Sequence, residues 1–170
     1  MIEAAPIILT ALMERPAFER FDALRRAHFP PERNFIPAHI TLFHHLPGTR
    51  AAEIAADVKD EARHHLAMEV RAVRLHMMGR GVSYVLESRE LADFRTRLAE
   101  RWAADLVPQD RQGWRPHVTV QNKVAPEAAK ALHREMSAGF QPFGFEVQGA
   151  TLWFYRGGPW EKIRDVRFRR

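Results

Sequence analysis

Apolar and polar positions along the chain switch between two periods, and the switches divide it into short elements. Residues 6–13 form an apolar run that fits a buried strand, and Pro16 then stands where the first turn of a helix tolerates proline. Phe18, Phe21, Leu24 and Phe29 follow at roughly helical spacing until Pro30 and Pro31 stop the pattern. An extended connection over 30–37 leads to a strand expected at about 38–46, closed by Pro47 and Gly48. Thr49 is placed to cap a helix running to about residue 65, with Glu53 close to the reciprocal position of a capping box. Residues 68–77 alternate, and the Gly79-Arg80-Gly81 turn joins them to 82–86 in a hairpin. Ser88 caps a second long helix whose apolar stripe is Leu91, Phe94, Leu98, Trp102 and Leu106. After a loop over 108–115 come a strand at 116–124, a helix opened by Pro126, and two strands around Gly157-Gly158-Pro159. Strands and helices mixed in this order, with hairpins, favour an α+β fold over a purely parallel sheet.

At 170 residues, 46% hydrophobic and 28% charged, the chain reads as one compact domain spanning 1–170. The absence of Cys removes thiol nucleophiles, disulfides and Cys-based zinc sites from consideration. Apolar runs fall far short of the ~18 residues of a membrane span, and residues 1–14 lack the basic region of a secretory leader, so a cytoplasmic protein is expected. A monomer is expected too, because no apolar stripe is left over to demand a partner. Most of the net charge of +5 is terminal: Arg156, Lys162, Arg164, Arg167, Arg169 and Arg170 face only Glu161 and Asp165. Such an end attracts phosphates, although a solvated strand and tail has the same composition. Neither short glycine turn has a nucleotide-loop pattern, so ATP-dependent chemistry has no support. No metal or cofactor is expected: within His44-His45 and His64-His65, neighbours on a strand point to opposite faces, and no Cys or acidic cluster accompanies them. His28, His76 and His133 stand in no motif and read as surface residues.

Two segments repeat one pattern: Ala38-His39-Ile40-Thr41-Leu42 and Pro116-His117-Val118-Thr119-Val120. Chance predicts about 0.3 His-x-Thr pairs in such a chain, and about 0.07 once both other positions must be apolar. A single histidine on a strand is commonly a satisfied core residue, but two matching copies 78 residues apart, each opening a strand, call for another account. Side chains on a strand alternate faces, so His39 and Thr41 share one face while Ile40 and Leu42 enter the core; His117 and Thr119 do the same. Two imidazoles across a cleft suit phosphodiester cleavage, one removing a proton from the nucleophile and one protonating the leaving oxygen. The threonine hydroxyls are placed to donate to the non-bridging phosphate oxygens, and the arrangement requires no metal.

The paired His-x-Thr-x motifs resemble those of the 2H phosphoesterase superfamily, and their context resembles its bacterial 2′-5′ RNA ligase and RNA 2′,3′-cyclic phosphodiesterase branch. The resemblance covers nearly the whole chain, including Phe35-Ile36-Pro37-Ala38-His39 before the first motif, the Val82-Tyr84-Leu86 strand, and Trp114-Arg115-Pro116 before the second. It implies a bilobal, duplicated α+β fold: two antiparallel sheets with outer helices, related by a pseudo-two-fold axis, around a central cleft. It also implies catalytic roles for His39 and His117, phosphate binding by Thr41 and Thr119, and as substrate an RNA end or small nucleotide bearing a cyclic phosphate. Phe43 and Gln121 continue the open faces of the two motif strands and are candidate substrate contacts, as are Arg115 and Arg156 for phosphate and Tyr155 for stacking on a base. Trp114 and Trp153 are further stacking candidates. The expected activity is metal-independent hydrolysis of a cyclic or 2′-5′ phosphodiester; the alternatives are 2′-5′ RNA ligation by the same site and a non-catalytic RNA-binding protein.

Overall fold

The computed structural model describes residues 4–170. In chain order the elements are β1 (Ile7–Met13), α1 (Arg15–His28), β2 (Thr41–Leu46), α2 (Ala51–Ala62), β3 (Met68–Met77), β4 (Val82–Glu87) and α3 (Arg89–Arg101). They continue with the single turn α4 (Pro108–Arg111), β5 (His117–Gln121), α5 (Pro126–Gly139), β6 (Phe143–Phe154) and β7 (Glu161–Arg167). Pro16 lies in the first turn of α1, as its fixed φ allows, and the Ser88 side chain accepts from the Leu91 N–H to cap α3. Thr49 does not cap α2: it falls inside a 3₁₀ turn, Gly48–Arg50, and the helix begins without a side-chain cap. At the β3–β4 turn Gly79 takes φ +88°, and a Cβ on Gly81 would stand 1.9 Å from the Gln121 carbonyl oxygen. The hairpin can close against the end of β5 only because that residue has no side chain.

The seven strands form one antiparallel sheet in the order β2-β1-β6-β3-β4-β5, with β7 also on β6. Two sheets were expected, and the length of β6 explains the difference. Its first part, Phe143 to Val147, pairs with β3, and the rest, through Phe154, pairs with β1. Val147 faces Met13 on one side and Met68 on the other, so a single strand welds both halves. β7 runs along the second half of β6, on the edge opposite β1. The sheet is nearly closed: Trp114, just before β5, donates its indole N–H to the Thr41 carbonyl at the start of β2, bringing the two ends together.

The four longer helices, α1, α2, α3 and α5, are amphipathic and bury their apolar stripes. α1 packs on β5 and α5 on β3 and β4, while α2 and α3 pack on each other and reach β7 and β3. Phe21 of α1 sits among Tyr84, Phe143 and Phe145 with centroid separations of 5.2 to 5.9 Å. Burying such a ring stabilises the fold by about 1.5–3 kcal/mol, which fixes α1 beneath the second motif. No helix among the described residues is long and apolar enough to cross a membrane.

Candidate active site

β2 and β5 are the two ends of the sheet, and each carries one motif. His39 precedes the first paired residue of β2, Thr41, while His117 opens β5 and Thr119 follows it. Ile40, Leu42, Val118 and Val120 are all buried in the core, as strand alternation requires. Thr41 and His117 line one cavity of about 500 Å³, so the structure brings the two motifs together.

The two histidines are tethered alike. His39 Nδ1 lies 2.9 Å from the Pro37 carbonyl, and His117 Nδ1 lies 2.9 Å from the Arg115 carbonyl, in each case two residues back. A carbonyl only accepts, so Nδ1 carries the hydrogen and Nε2 is the nitrogen left for a substrate. The backbone around each motif is held by a buried arginine. Arg25 of α1 donates to the Thr119 carbonyl at 2.9 Å, and Arg95 of α3 donates to the Leu42 carbonyl at 3.1 Å. Burial lowers the pKa of both guanidiniums, against the opposing charges of Asp22 and Asp110. Asp22, also on α1, accepts from the Ala38 N–H beside His39, so one helix supports both motifs.

The surroundings of the two rings differ. His39 is half-buried and edge-on to Trp160, with ring centroids 4.8 Å apart. Burial pulls its pKa down to about 4, outweighing the Pro37 carbonyl; the positive fields of Arg25, His117 and His44 act in the same direction. At neutral pH this ring is therefore uncharged, with a free lone pair on Nε2. His117 is exposed, and borders a second cavity of about 620 Å³ with Trp114, Met78, Ser83 and His76. His39 borders its own cavity of about 410 Å³, walled by Trp153 and Trp160 and floored by Thr10, Thr151 and Asp165.

Two of the expected substrate contacts lie elsewhere. Phe43 is 0% exposed, edge-on to Trp102 and under the Arg95 guanidinium, and Gln121 is 6% exposed. The cause is the same in both strands. Thr10 and Leu9 of β1 face Thr41 and Phe43, and Ser83 and Val82 of β4 face Thr119 and Gln121. Each motif strand thus has one extra residue directly after its threonine, a bulge that turns the next side chain inward. Gln121 Oε1 is left buried without a hydrogen-bond partner among the described residues. Arg115 is exposed and lines both cavities at His117. Tyr155 is exposed and Arg156 is bound to Glu161 at 2.7 Å, and neither lines the three cavities at the motifs. Trp114 and Trp153 serve the scaffold with their N–H groups, Trp153 donating to Thr10 Oγ1, while their rings border the cavities.

Trp160, His76 and His44 reach the cavities although none was among the expected substrate contacts, His44 having been weighed only as a metal ligand and His76 read as a surface residue. For His76 the signal was present, since it alternates with Arg74 on β3 toward the same cavity; for Trp160 and His44 the placement depends on long-range pairing. Among the described residues no group of three or more His, Asp or Glu side chains could hold a metal ion.

A nearly closed antiparallel sheet with a His-x-Thr pair at each end defines a class of fold that comparison with known proteins makes specific. The sequence model of the 2′-5′ RNA ligase superfamily matches residues 13–159, and the chain belongs to that superfamily, the 2H phosphoesterases. Escherichia coli LigT, solved in complex with 3′-AMP, superposes with a TM-score of 0.61 at 18% identity, over 99% of this chain and 100% of that one. TT0787 of Thermus thermophilus gives 0.64 at 14% identity, over 97% of this chain and 100% of that one. A structure described as a phosphoesterase gives 0.60 at 19% identity, over 99% and 100%. At these identities the likeness is one of fold. No curated protein matches the sequence.

Proposed function

We propose that the protein is a metal-independent phosphoesterase that opens a 2′,3′-cyclic phosphate, or cleaves a related cyclic or 2′-5′ phosphodiester, at an RNA end or on a small nucleotide. The observation that carries this reading is the matched tether of His39 and His117, which leaves both Nε2 atoms free, with His39 on one cavity and His117 on another that it shares with Thr41. Superfamily membership supports phosphoesterase or ligase chemistry, and the nucleotide bound by LigT supports a nucleotide-sized ligand. His39, uncharged at neutral pH, takes the proton of the attacking water; His117 gives a proton to the leaving ribose oxygen. Thr41 and Thr119 donate from their hydroxyls to the non-bridging oxygens, where charge builds as water adds to phosphorus. The water's oxygen forms the new P–O bond, the ring P–O bond breaks, and the proton balance closes through the two imidazoles.

The test is incubation of the purified protein with an RNA oligonucleotide ending in a 2′,3′-cyclic phosphate, in EDTA, alongside the His39→Ala/His117→Ala double variant. Ring opening by the wild type alone is expected, and the position of the product phosphate identifies the cleaved bond. Equal behaviour of the two proteins across a panel of cyclic phosphodiesters would overturn the reading and leave an RNA-binding protein.

A further inference from the structure

The bulge after Thr41 has a second effect. It turns Phe43 into the core and places His44, 42% exposed at its side chain, on the wall of the cavity that Thr41 and His117 share. His44 is also fixed there. Asp110 of α4, 0% exposed at its side chain, accepts from His44 Nδ1 at 3.0 Å and from the backbone N–H groups of His44 and His45 at 2.9 to 3.0 Å. Arg95 in turn donates to the Asp110 carbonyl at 2.7 Å, anchoring α4 to the same arginine that holds β2. Burial by itself would raise the Asp110 pKa, but the His44 ring and the two N–H groups outweigh it and hold the carboxyl below its ordinary value.

A buried carboxylate surrounded by N–H donors shows no acceptor to the cavity. What the cavity meets on this side is His44 Nε2, the nitrogen left over once Nδ1 is given to Asp110, and the exposed Arg115 beside it. In the imidazolium form Nε2 also donates, and beside Arg115 the wall then offers two cationic donors to an anion. His44 and Thr41 line the same cavity, and three residues of extended chain cover roughly 10 Å at most, so His44 lies within the reach of one nucleotide unit from Thr41.

We propose that His44, oriented by Asp110, binds a second phosphate of the substrate: the 5′-phosphate of the nucleotide whose cyclic phosphate lies between the two motifs. The proposal rests on the phosphoesterase reading above and narrows its substrate class to phosphate-flanked nucleotides, as at the end of an RNA chain. Asp110 is then a positioning residue, acting through His44.

The test compares a nucleoside 2′,3′-cyclic phosphate with and without a 5′-phosphate. The wild type is expected to favour the 5′-phosphorylated ester by about tenfold in kcat/KM, the size of one charge-assisted hydrogen bond, with the difference in KM. In His44→Gln the ratio should fall to near one, whatever the substitution does to either rate alone, and His44→Lys should restore part of it. Asp110→Asn should lower the ratio in the same way through KM; a fall in kcat with the ratio intact would remove Asp110 from the proposal. A wild-type ratio near one, or a ratio unchanged in His44→Gln, would overturn it. If the wild type opens neither ester, the phosphoesterase reading fails and the phosphate site is judged by calorimetry with a nucleoside 2′,5′-bisphosphate against the 2′-monophosphate. A tenfold preference lost in His44→Gln would then keep the site, and equal or absent binding would sink it.

Discussion

His39 and His117 share one tether, from Nδ1 to the carbonyl two residues back, and each is followed by a buried residue, a threonine and a bulge. Even the external support has a counterpart: Arg25 reaches the second motif from the helix after β1, and Arg95 reaches the first from the helix after β4. Yet the first ring is half-buried against Trp160 with its pKa pulled down to about 4, while the second is open to solvent. A common backbone geometry fixes which nitrogen is left free, and the side chains around His39 hold that ring uncharged at neutral pH. The proposed division of base from acid between two copies of one motif rests on this difference in surroundings.

The largest blow to this comparison comes from removing either ring. His39→Ala and His117→Ala should each lower kcat by roughly 10²- to 10⁴-fold, and the double variant should lose little more, because the pair acts as a unit. Wild-type rates in either variant would end the assignment. Next come the hydroxyls: Thr41→Ala and Thr119→Ala should each cost about 10- to 100-fold in kcat/KM, and losses of very different size would show that the motifs do not share the phosphate alike. Smaller still, Arg25→Met and Arg95→Met should each destabilise the fold by about 1–3 kcal/mol in chemical denaturation, since each leaves a buried carbonyl unpaired. A stability unchanged in either would remove that arginine as a brace. The finest effect is electrostatic. Trp160→Ala admits water to His39 and should move its pKa up toward the ordinary value of about 6.5, read by NMR titration of the ring. An unmoved titration would mean that Trp160 does not set the solvation of His39.

Much of the element order was legible because periodicity survives into the fold: the alternation of β3 and the Ser88 cap stand as read, and Leu91, Phe94 and Leu98 form the buried stripe of α3, while Trp102 and Leu106 lie past its end. The repeat also pointed to the two segments that meet, Thr41 of one and His117 of the other lining a shared cavity. What could not be read depends on contacts between distant residues. One residue too many opposite β1 and β4, directly after Thr41 and Thr119, inverts the faces of Phe43 and Gln121, and no local signal marks a bulge without glycine. The His44–Asp110 pair spans 66 residues and the Trp160–His39 contact joins the last hairpin to the first motif strand, so neither has a spacing to recognise. The merging of two expected sheets into one follows from β6 continuing past Val147, where the sequence alone shows an apolar run of unspecified pairing.

The most direct test of the divided roles is the dependence of kcat/KM on pH for opening of a 2′,3′-cyclic phosphate. As pH falls through the His39 pKa the ring takes a proton and ceases to be a base, so the acid limb should lie near pH 4, well below that of an ordinary histidine. A bell with its acid limb near pH 4, lost in His39→Ala, is the predicted result. An acid limb near the ordinary histidine value of about 6.5, or the same profile in the variant, would contradict the account.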